Sequence, residues 1–128
     1  MHTPGNRPIL LVEDDLDVRE ALSDTLEDQG FEVVTAENGL DALRLLGQMA
    51  VHPSVILLDL MMPIMDGYGF LAARKCDPTL ASIPVAIITA GHGVDRARLG
   101  DSPPVVAKPI RIPYLLSVLR RLQGGAPA

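Results

Sequence analysis

Acidic side chains follow two short apolar runs of this 128-residue chain. The triplet Glu13-Asp14-Asp15 comes directly after the first run, and Asp59 comes directly after the run Val-Ile-Leu-Leu. Open α/β sheets place their reactive groups at the carboxyl ends of buried strands, so Asp59 is the first candidate for chemistry. An acid at such a junction also serves as a helix N-cap, which is the role we expect for Asp15 and Asp66.

Short apolar runs alternate with segments of helical period, which is typical of a parallel sheet covered by helices on both faces. The predicted fold class is therefore α/β, a doubly wound five-stranded parallel sheet of the flavodoxin-like kind, with strand order 2-1-3-4-5. The predicted strands are residues 8–12, 31–35, 54–58, 85–89 and 105–107. The predicted helices are residues 16–29, a segment from Leu43 to Ala50, residues 67–75 and residues 112–122.

The helical pattern weakens between Thr89 and Lys108, where three glycines and two prolines interrupt it. These residues leave room for about two helical turns at 3.6 residues per turn. We therefore predict that the fourth helix is short or irregular and lies near residues 94–99.

Neighbouring strand ends would bring the acids together. The first and third strands of a doubly wound sheet are adjacent at its switch point, so their terminal acids would meet in one crevice. Three or four carboxylates would repel each other there and hold protons unless a divalent cation lay among them. Oxygen ligands suit Mg²⁺ better than zinc, which prefers histidine and cysteine. The sequence therefore predicts a magnesium site.

The composition indicates one folded domain, with 48% hydrophobic and 21% charged residues. A net charge of −5 without a cluster of basic residues argues against direct binding to nucleic acid or to an anionic membrane. No apolar run approaches the roughly 20 residues that span a bilayer. The single Cys76 cannot form an internal disulfide, which fits a reducing compartment. We expect a cytoplasmic protein.

Four short motifs occur in order at the predicted strand ends. They are Glu13-Asp14, the segment 59–67 with its Met-Pro and Asp-Gly pairs, Thr89-Ala90, and Lys108-Pro109. Together they resemble the receiver domain of bacterial two-component response regulators. The resemblance implies a receiver domain over residues 8–122, an N-terminal tail over 1–7 and a C-terminal tail over 123–128.

The resemblance also implies a role for each matched residue. Asp59 would accept a phosphoryl group from a phosphohistidine on a sensor histidine kinase or a histidine phosphotransfer protein. The Thr89 hydroxyl would bind a phosphoryl oxygen, and Lys108 would pair with the phosphoryl group and the acceptor carboxylate. Such a domain is a signalling module that catalyses only its own phosphorylation and dephosphorylation. The implied Mg²⁺ ligands are the side chains of Glu13, Asp14 and Asp59 and the backbone carbonyl of Met61.

Two features depart from the family pattern. Val105 stands three residues before Lys108, where receivers usually carry a tyrosine or phenylalanine that rotates inward on activation. Only 19 positions separate Thr89 from Lys108, which is shorter than in chemotaxis-type receivers. Both departures affect the face that many receivers use for output. We therefore expect the signal to leave by another surface, formed by the first helix and the turn at residues 109–113.

The residues that flank the chemistry bear on the lifetime of the phosphoryl group. In the family, the residue two after the acceptor and the residue two after the threonine affect hydrolysis, and here they are Met61 and Gly91. Neither has a carboxylate or amide side chain that could orient an attacking water, so we predict a persistent phosphoryl group.

Other functions remain open at this point. Asp15-Leu16-Asp17 imitates the nucleophile motif of haloacid-dehalogenase-type phosphatases, although it lies beyond the strand end and Arg19 stands where that family prefers threonine or valine. A pseudo-receiver that only binds a partner is a second alternative. Flavin binding is disfavoured because the acids after the first strand would repel a phosphate. The short segment after residue 122 encodes no effector, so we expect either a stand-alone receiver, which this segment favours, or a fragment of a larger regulator or hybrid kinase. The sequence does not identify the output protein.

Overall fold

Five short apolar strands form one parallel sheet in the order β2-β1-β3-β4-β5. The computed structural model describes residues 7–90, 93–100 and 103–124. It confirms the predicted fold class and strand order. The strands are β1 (Ile9–Val12), β2 (Val33–Ala36), β3 (Val55–Asp59), β4 (Val85–Thr89) and β5 (Val105–Ala107). The helices are α1 (Leu16–Asp28), α2 (Gly39–Gln48), α3 (Gly67–Lys75), α4 (Pro78–Ala81) and α5 (Ile112–Gly124), together with a 3₁₀ helix (Arg96–Leu99).

The side chains of the central strands alternate between two cores, one on each face of the sheet. Leu10 and Val12 of β1 lie in the core under α2 and α3, whereas Ile9 and Leu11 lie in the core under α1 and α5. All four side chains are fully buried, which explains why β1 is a continuous apolar run rather than an alternating one. Every residue of β3 is buried as well, so the strand that ends in Asp59 is packed on both faces.

Polar side chains fix the start of the helices that follow the strands. Asp15 accepts a hydrogen bond from the Val18 amide at 3.1 Å, and Asp66 accepts one from the Gly69 amide at 2.9 Å. Both predicted N-caps are therefore confirmed. Asn38 caps α2 in the same way. Asp15 and Asn38 begin α1 and α2 within a few residues of the preceding strands, whereas Asp66 begins α3 after the longer segment 60–66 that follows Asp59.

Several element boundaries differ from the predicted ones. Strand β2 begins at Val33 rather than at residue 31, and α2 ends before Ala50. Helix α5 continues to Gly124 and so includes two residues of the predicted tail. The reason is a long-range contact, because Gln123 Nε2 donates to Ser54 Oγ at 2.7 Å.

The predicted fourth helix is short, as expected, and is a single 3₁₀ turn. Asp95 caps it by accepting a hydrogen bond from the Ala97 amide at 3.2 Å, and Leu99 is buried at its end. The sequence pattern missed α4, whose four residues are too few to show a helical period. Its local signal is Asp77 before Pro78, a cap followed by proline in the first turn. None of the helices in the described part of the chain is long and apolar enough to cross a membrane.

Candidate functional site

The parallel register brings the predicted acids to one edge of the sheet. Val12 of β1 pairs with Leu58 of β3, so Glu13 and Asp59 are the next residues along adjacent strands. Side-chain oxygens of Glu13, Asp14 and Asp59 lie within 4.8 Å of one another. Glu13 and Asp59 are buried, whereas Asp14 is exposed. The acidic crevice predicted from the strand ends is therefore present.

The same edge continues across β4 and β5 to the predicted threonine and lysine. Asp59 pairs with Ile88, which puts Thr89 one residue further along the neighbouring strand. Thr89 pairs in turn with Ala107, the residue before Lys108. The Lys108 amide donates to the Thr89 carbonyl at 2.7 Å. Sheet pairing thus places Thr89 on the strand next to that of Asp59 and Lys108 one strand further along the same edge.

Lys108 is the cation of the site. Its Nζ donates to Glu13 Oε1 at 2.9 Å and lies 3.6 Å from Asp59 Oδ2. Burial alone would lower the pKa of Lys108, but the hydrogen bond to Glu13 and the charge of Asp59 outweigh burial and raise that pKa. The lysine therefore carries its positive charge at neutral pH and faces both buried acids.

Burial changes the pKa of Glu13, and backbone amides orient both buried carboxylates. Burial raises the pKa of Glu13 above its usual value, although the hydrogen bond from Lys108 opposes this. Glu13 Oε2 accepts a hydrogen bond from the Asp15 amide at 3.1 Å. Asp59 Oδ1 accepts one from the Met61 amide at 3.2 Å. Each carboxylate is thus oriented by an amide on one oxygen and faces the lysine with the other.

The backbone of the acceptor loop packs against Gly67. A Cβ at this position would lie 2.7 Å from the Asp59 carbonyl oxygen and 2.7 Å from Leu60 Cα. The Gly67 amide also donates to the Leu60 carbonyl at 3.0 Å. Only glycine permits this approach, because any larger residue would push the backbone that carries Asp59.

The donor set fits a magnesium ion. Three carboxylates with converging oxygens and no histidine or cysteine among them match the hard-oxygen preference of Mg²⁺. A divalent cation would also relieve the repulsion between the buried acids, which Lys108 neutralises only in part. The contribution of the Met61 carbonyl stays a prediction, since the structure shows only the hydrogen bond of its amide.

The structure argues against the phosphatase alternative, whose nucleophile would be Asp15. Asp15 lies outside the converging acids, since the group of side chains that approach each other contains Asp14 rather than Asp15. Its carboxylate instead accepts the Val18 amide as the cap of α1. The structure therefore assigns Asp15 a local structural role.

An aromatic side chain that the sequence analysis overlooked contacts the segment beyond β4. Tyr68 of α3 is 9% exposed, and its hydroxyl accepts a hydrogen bond from the Asp95 amide at 2.8 Å. The Arg98 guanidinium lies 4.3 Å from the centre of its ring. Val105, where receivers usually carry a ring, is only partly buried. The one available signal was an aromatic directly after Asp66-Gly67 in a chain that has few aromatics.

An apolar groove opens beside Lys108, between α1 and the turn that follows β5. It has a volume of about 300 Å³. Ala21 and Leu22 line one wall, and Pro109 and Ile110 line the other. The groove lies on the surface for which the sequence analysis predicts a protein contact.

Fold and site together define a class of protein: a doubly wound α/β domain with converging carboxylates and a lysine at the carboxyl edge of its sheet. The family model described as the response regulator receiver domain matches residues 9–120. The chain belongs to this family.

Individual relatives agree with this assignment. The chain is 38% identical over 117 residues to the probable transcriptional regulator ycf29 of Pyropia yezoensis, covering 89% of this chain and 52% of that protein. It is 29% identical to the polar-differentiation response regulator DivK of Brucella ovis, covering 94% and 98% of the two chains. The chain thus spans about half of the first relative and nearly all of the second.

A solved structure gives the same match in three dimensions. The receiver domain of a sensor histidine kinase from Pseudomonas aeruginosa superposes with a TM-score of 0.81 at 26% sequence identity. The match covers 92% of this chain and 98% of that one, and that structure has a magnesium ion coordinated in its active-site cleft.

Proposed function

We propose that Asp59 accepts a phosphoryl group from a phosphohistidine on a sensor histidine kinase or a histidine phosphotransfer protein. The observation that carries this proposal is the position of Lys108, which faces the buried carboxylates of both Asp59 and Glu13. An anionic nucleophile that attacks an anionic donor needs cations beside it. The carboxyl edge of the sheet supplies one cation, Lys108, and has the carboxylate ligands for a second, Mg²⁺.

The proposed transfer exchanges one bond at phosphorus for another. An Asp59 carboxylate oxygen attacks the phosphorus, the new O–P bond forms and the P–N bond to the donor histidine breaks. The imidazole nitrogen leaves with the electron pair and takes up a proton. Lys108 neutralises charge on the phosphoryl oxygens, and the Thr89 hydroxyl donates a hydrogen bond to one of them. Catalysis consists mainly of positioning, so the domain turns over no substrate beyond its own acyl phosphate.

Mg²⁺ would be held by the side chains of Glu13, Asp14 and Asp59 and by the Met61 carbonyl, and it would supply further charge neutralisation at the transferred group. The ion and Lys108 would then compete for the Glu13 carboxylate, which Lys108 contacts in this structure. We also propose a persistent phosphoryl group, because Met61 has no carboxylate or amide side chain that could orient an attacking water. Gly91, the other residue on which this prediction depends, lies outside the described residues.

The groove beside Lys108 supports a docking role for this face. Its apolar walls border the phosphoryl site directly, so a protein bound there would contact the donor or report the state of Asp59. We propose that the output partner uses α1 and the turn at residues 109–113. Chemical-shift mapping with a phosphoryl analogue should show shifts on this face. Shifts confined to residues 94–106 would refute this route.

The proposed location is the cytoplasm, where kinases of this class expose their phosphohistidines. Cys76 is exposed and unpaired, which supports a reducing compartment.

Intact-mass measurement after incubation with acetyl phosphate and Mg²⁺ tests the assignment of Asp59. The wild type should gain one phosphoryl mass, and Asp59→Asn should gain none. Asp66→Asn is the matched control, because it makes the same chemical change seven positions away and asparagine still caps a helix. Phosphorylation of Asp59→Asn to the wild-type extent would refute the proposal.

A further inference from the structure

Arg19 reaches back from α1 to the loop that carries the predicted metal ligands. Its Nη1 donates to the Glu13 carbonyl at 2.8 Å and lies 3.4 Å from the Asp14 carbonyl. The arginine is the fourth residue of the helix, and its own amide donates to the Asp15 carbonyl at 2.9 Å. One side chain thus contacts two successive peptide groups of a three-residue loop.

Helix formation alone does not explain an arginine at this position. The first turn of a helix favours acids, because its free amides carry partial positive charge. Arg19 stands at the edge of that turn, where a cation gains nothing from the helix. A guanidinium offers several donors in a fixed plane, whereas lysine offers a single mobile ammonium group. The two carbonyl contacts are what the arginine gains there.

The loop is braced on its carboxylate side and on its backbone side by different groups. Lys108 and the Asp15 amide orient the Glu13 carboxylate. Arg19 donates to the carbonyl oxygens of the two peptide groups that flank the Asp14 Cα, which are those of Glu13 and Asp14. Asp14 is the exposed acid of the three, so the direction of its carboxylate depends on how these two peptide groups are held.

We propose that Arg19 is a positioning residue for the Mg²⁺ site. It fixes the two peptide groups on either side of the Asp14 Cα so that the Asp14 carboxylate points toward Asp59 before the ion binds. Groups that orient metal ligands from outside the coordination shell commonly contribute about 10-fold or more to metal affinity. This inference rests on the proposed function, because it assumes that the acidic cluster binds Mg²⁺.

Geometry and charge predict opposite effects when Arg19 is changed. The positive charge of Arg19 repels a divalent cation, so its removal alone would tighten Mg²⁺ binding. Loss of the carbonyl contacts would weaken binding. Arg19→Lys keeps the charge and removes the planar donor group, so it isolates the geometric effect. Arg19→Gln removes both.

Mg²⁺ affinity measured by calorimetric titration tests the proposal. Arg19→Lys should bind Mg²⁺ about 10-fold more weakly than the wild type, the lower end for such groups. Arg120→Lys is the matched control, since Arg120 is an exposed arginine near the end of α5, close in the chain to Gln123, which contacts Ser54 at the opposite edge of the sheet. Its Mg²⁺ affinity should match that of the wild type. Wild-type or tighter Mg²⁺ binding in Arg19→Lys would overturn the proposal, whatever the affinity of Arg19→Gln, in which the loss of charge opposes the loss of the contacts.

Amide hydrogen exchange in metal-free protein gives a second readout. The Asp14 and Asp15 amides should exchange faster in Arg19→Lys, while the Asp41 amide, which is held by the Asn38 cap at 2.9 Å, should be unchanged. Unchanged exchange in the loop would overturn the inference. If the wild type itself failed to bind Mg²⁺, the proposed function would fail with it, and only the exchange data would still report on Arg19.

Discussion

The acid-bearing loops and the segment beyond β4 leave the same edge of the sheet, but different forces hold them in place. Polar contacts to the backbone fix the acidic loops, as when Asp59 accepts the Met61 amide. The segment beyond β4 is held by burial of Leu99 and by Tyr68, which reaches it from α3. The first region holds three converging carboxylates, whereas the second is joined to the core by packing. Substitutions in the acidic loops should therefore have effects that depend on Mg²⁺, whereas the effects of substitutions in the segment beyond β4 should not.

The largest effect is expected at Gly67, where the acidic region touches the backbone most closely. Gly67→Ala should lower the free energy of unfolding by about 2–4 kcal/mol, because the new Cβ would overlap backbone atoms of Asp59 and Leu60. It should also weaken Mg²⁺ binding. Urea denaturation with and without Mg²⁺ measures both. In Gly47→Ala, the control in open space on α2, stability should rise by up to about 1 kcal/mol.

Removal of the lysine cation should have the next largest effect. Lys108→Met leaves Glu13 buried without its ion pair, so metal-free stability at pH 7 should fall by about 1–3 kcal/mol. Mg²⁺ should bind more tightly, since a competing cation has gone, and should restore most of the loss. Lys75→Met, at an exposed position of α3, should change stability by less than about 0.5 kcal/mol. An equal loss with and without Mg²⁺ would contradict the competition between the two cations.

The pH dependence of stability reports on the same ion pair. Because burial raises the pKa of Glu13, the folded protein binds its proton more tightly than the unfolded chain does. The Glu13 contribution to metal-free stability should therefore fall as the pH rises from 4.5, the ordinary value, through the raised pKa. Urea midpoints of the wild type and Glu13→Gln over this window give the difference. A wild type that gains stability relative to Glu13→Gln as the pH rises would contradict this direction.

The smallest effect is expected in the region beyond β4. Tyr68→Phe removes the hydrogen bond to the Asp95 amide and should lower the free energy of unfolding by about 0.5–1.5 kcal/mol. Mg²⁺ affinity should stay within about two-fold of the wild type, a change of under about 0.4 kcal/mol. A larger change in affinity would show that Tyr68 couples the two regions, and the contrast between them would then be wrong.

The acidic region could be predicted from the sequence because each of its residues is the last of a predicted strand or lies within two positions after one. Parallel pairing then fixes the neighbours of Asp59 without any further information, and Thr89 and Lys108 follow from the same rule. The roles of these residues came from the family resemblance.

The other region could not be predicted in the same way. The contact between Tyr68 and Asp95 joins residues 27 positions apart and has no local pattern.

The contacts of Arg19 in the acidic region could not be predicted either. The sequence analysis noticed Arg19 only as a mismatch to a phosphatase motif, since nothing in the sequence shows that its side chain turns back to two carbonyls. Contacts of this kind depend on side-chain direction, which periodicity does not specify.

Ser54, at the edge of the sheet opposite the acids, brings the two ends of the described chain together. Its hydroxyl donates to the Arg7 carbonyl at 3.2 Å and accepts from Gln123 Nε2 at 2.7 Å. A short linker between these ends would close the backbone into a ring, and the ring could be cut at an exposed loop instead. Circular permutation would in this way move the attachment points for a reporter from the edge that holds Ser54 to the edge that carries Asp59.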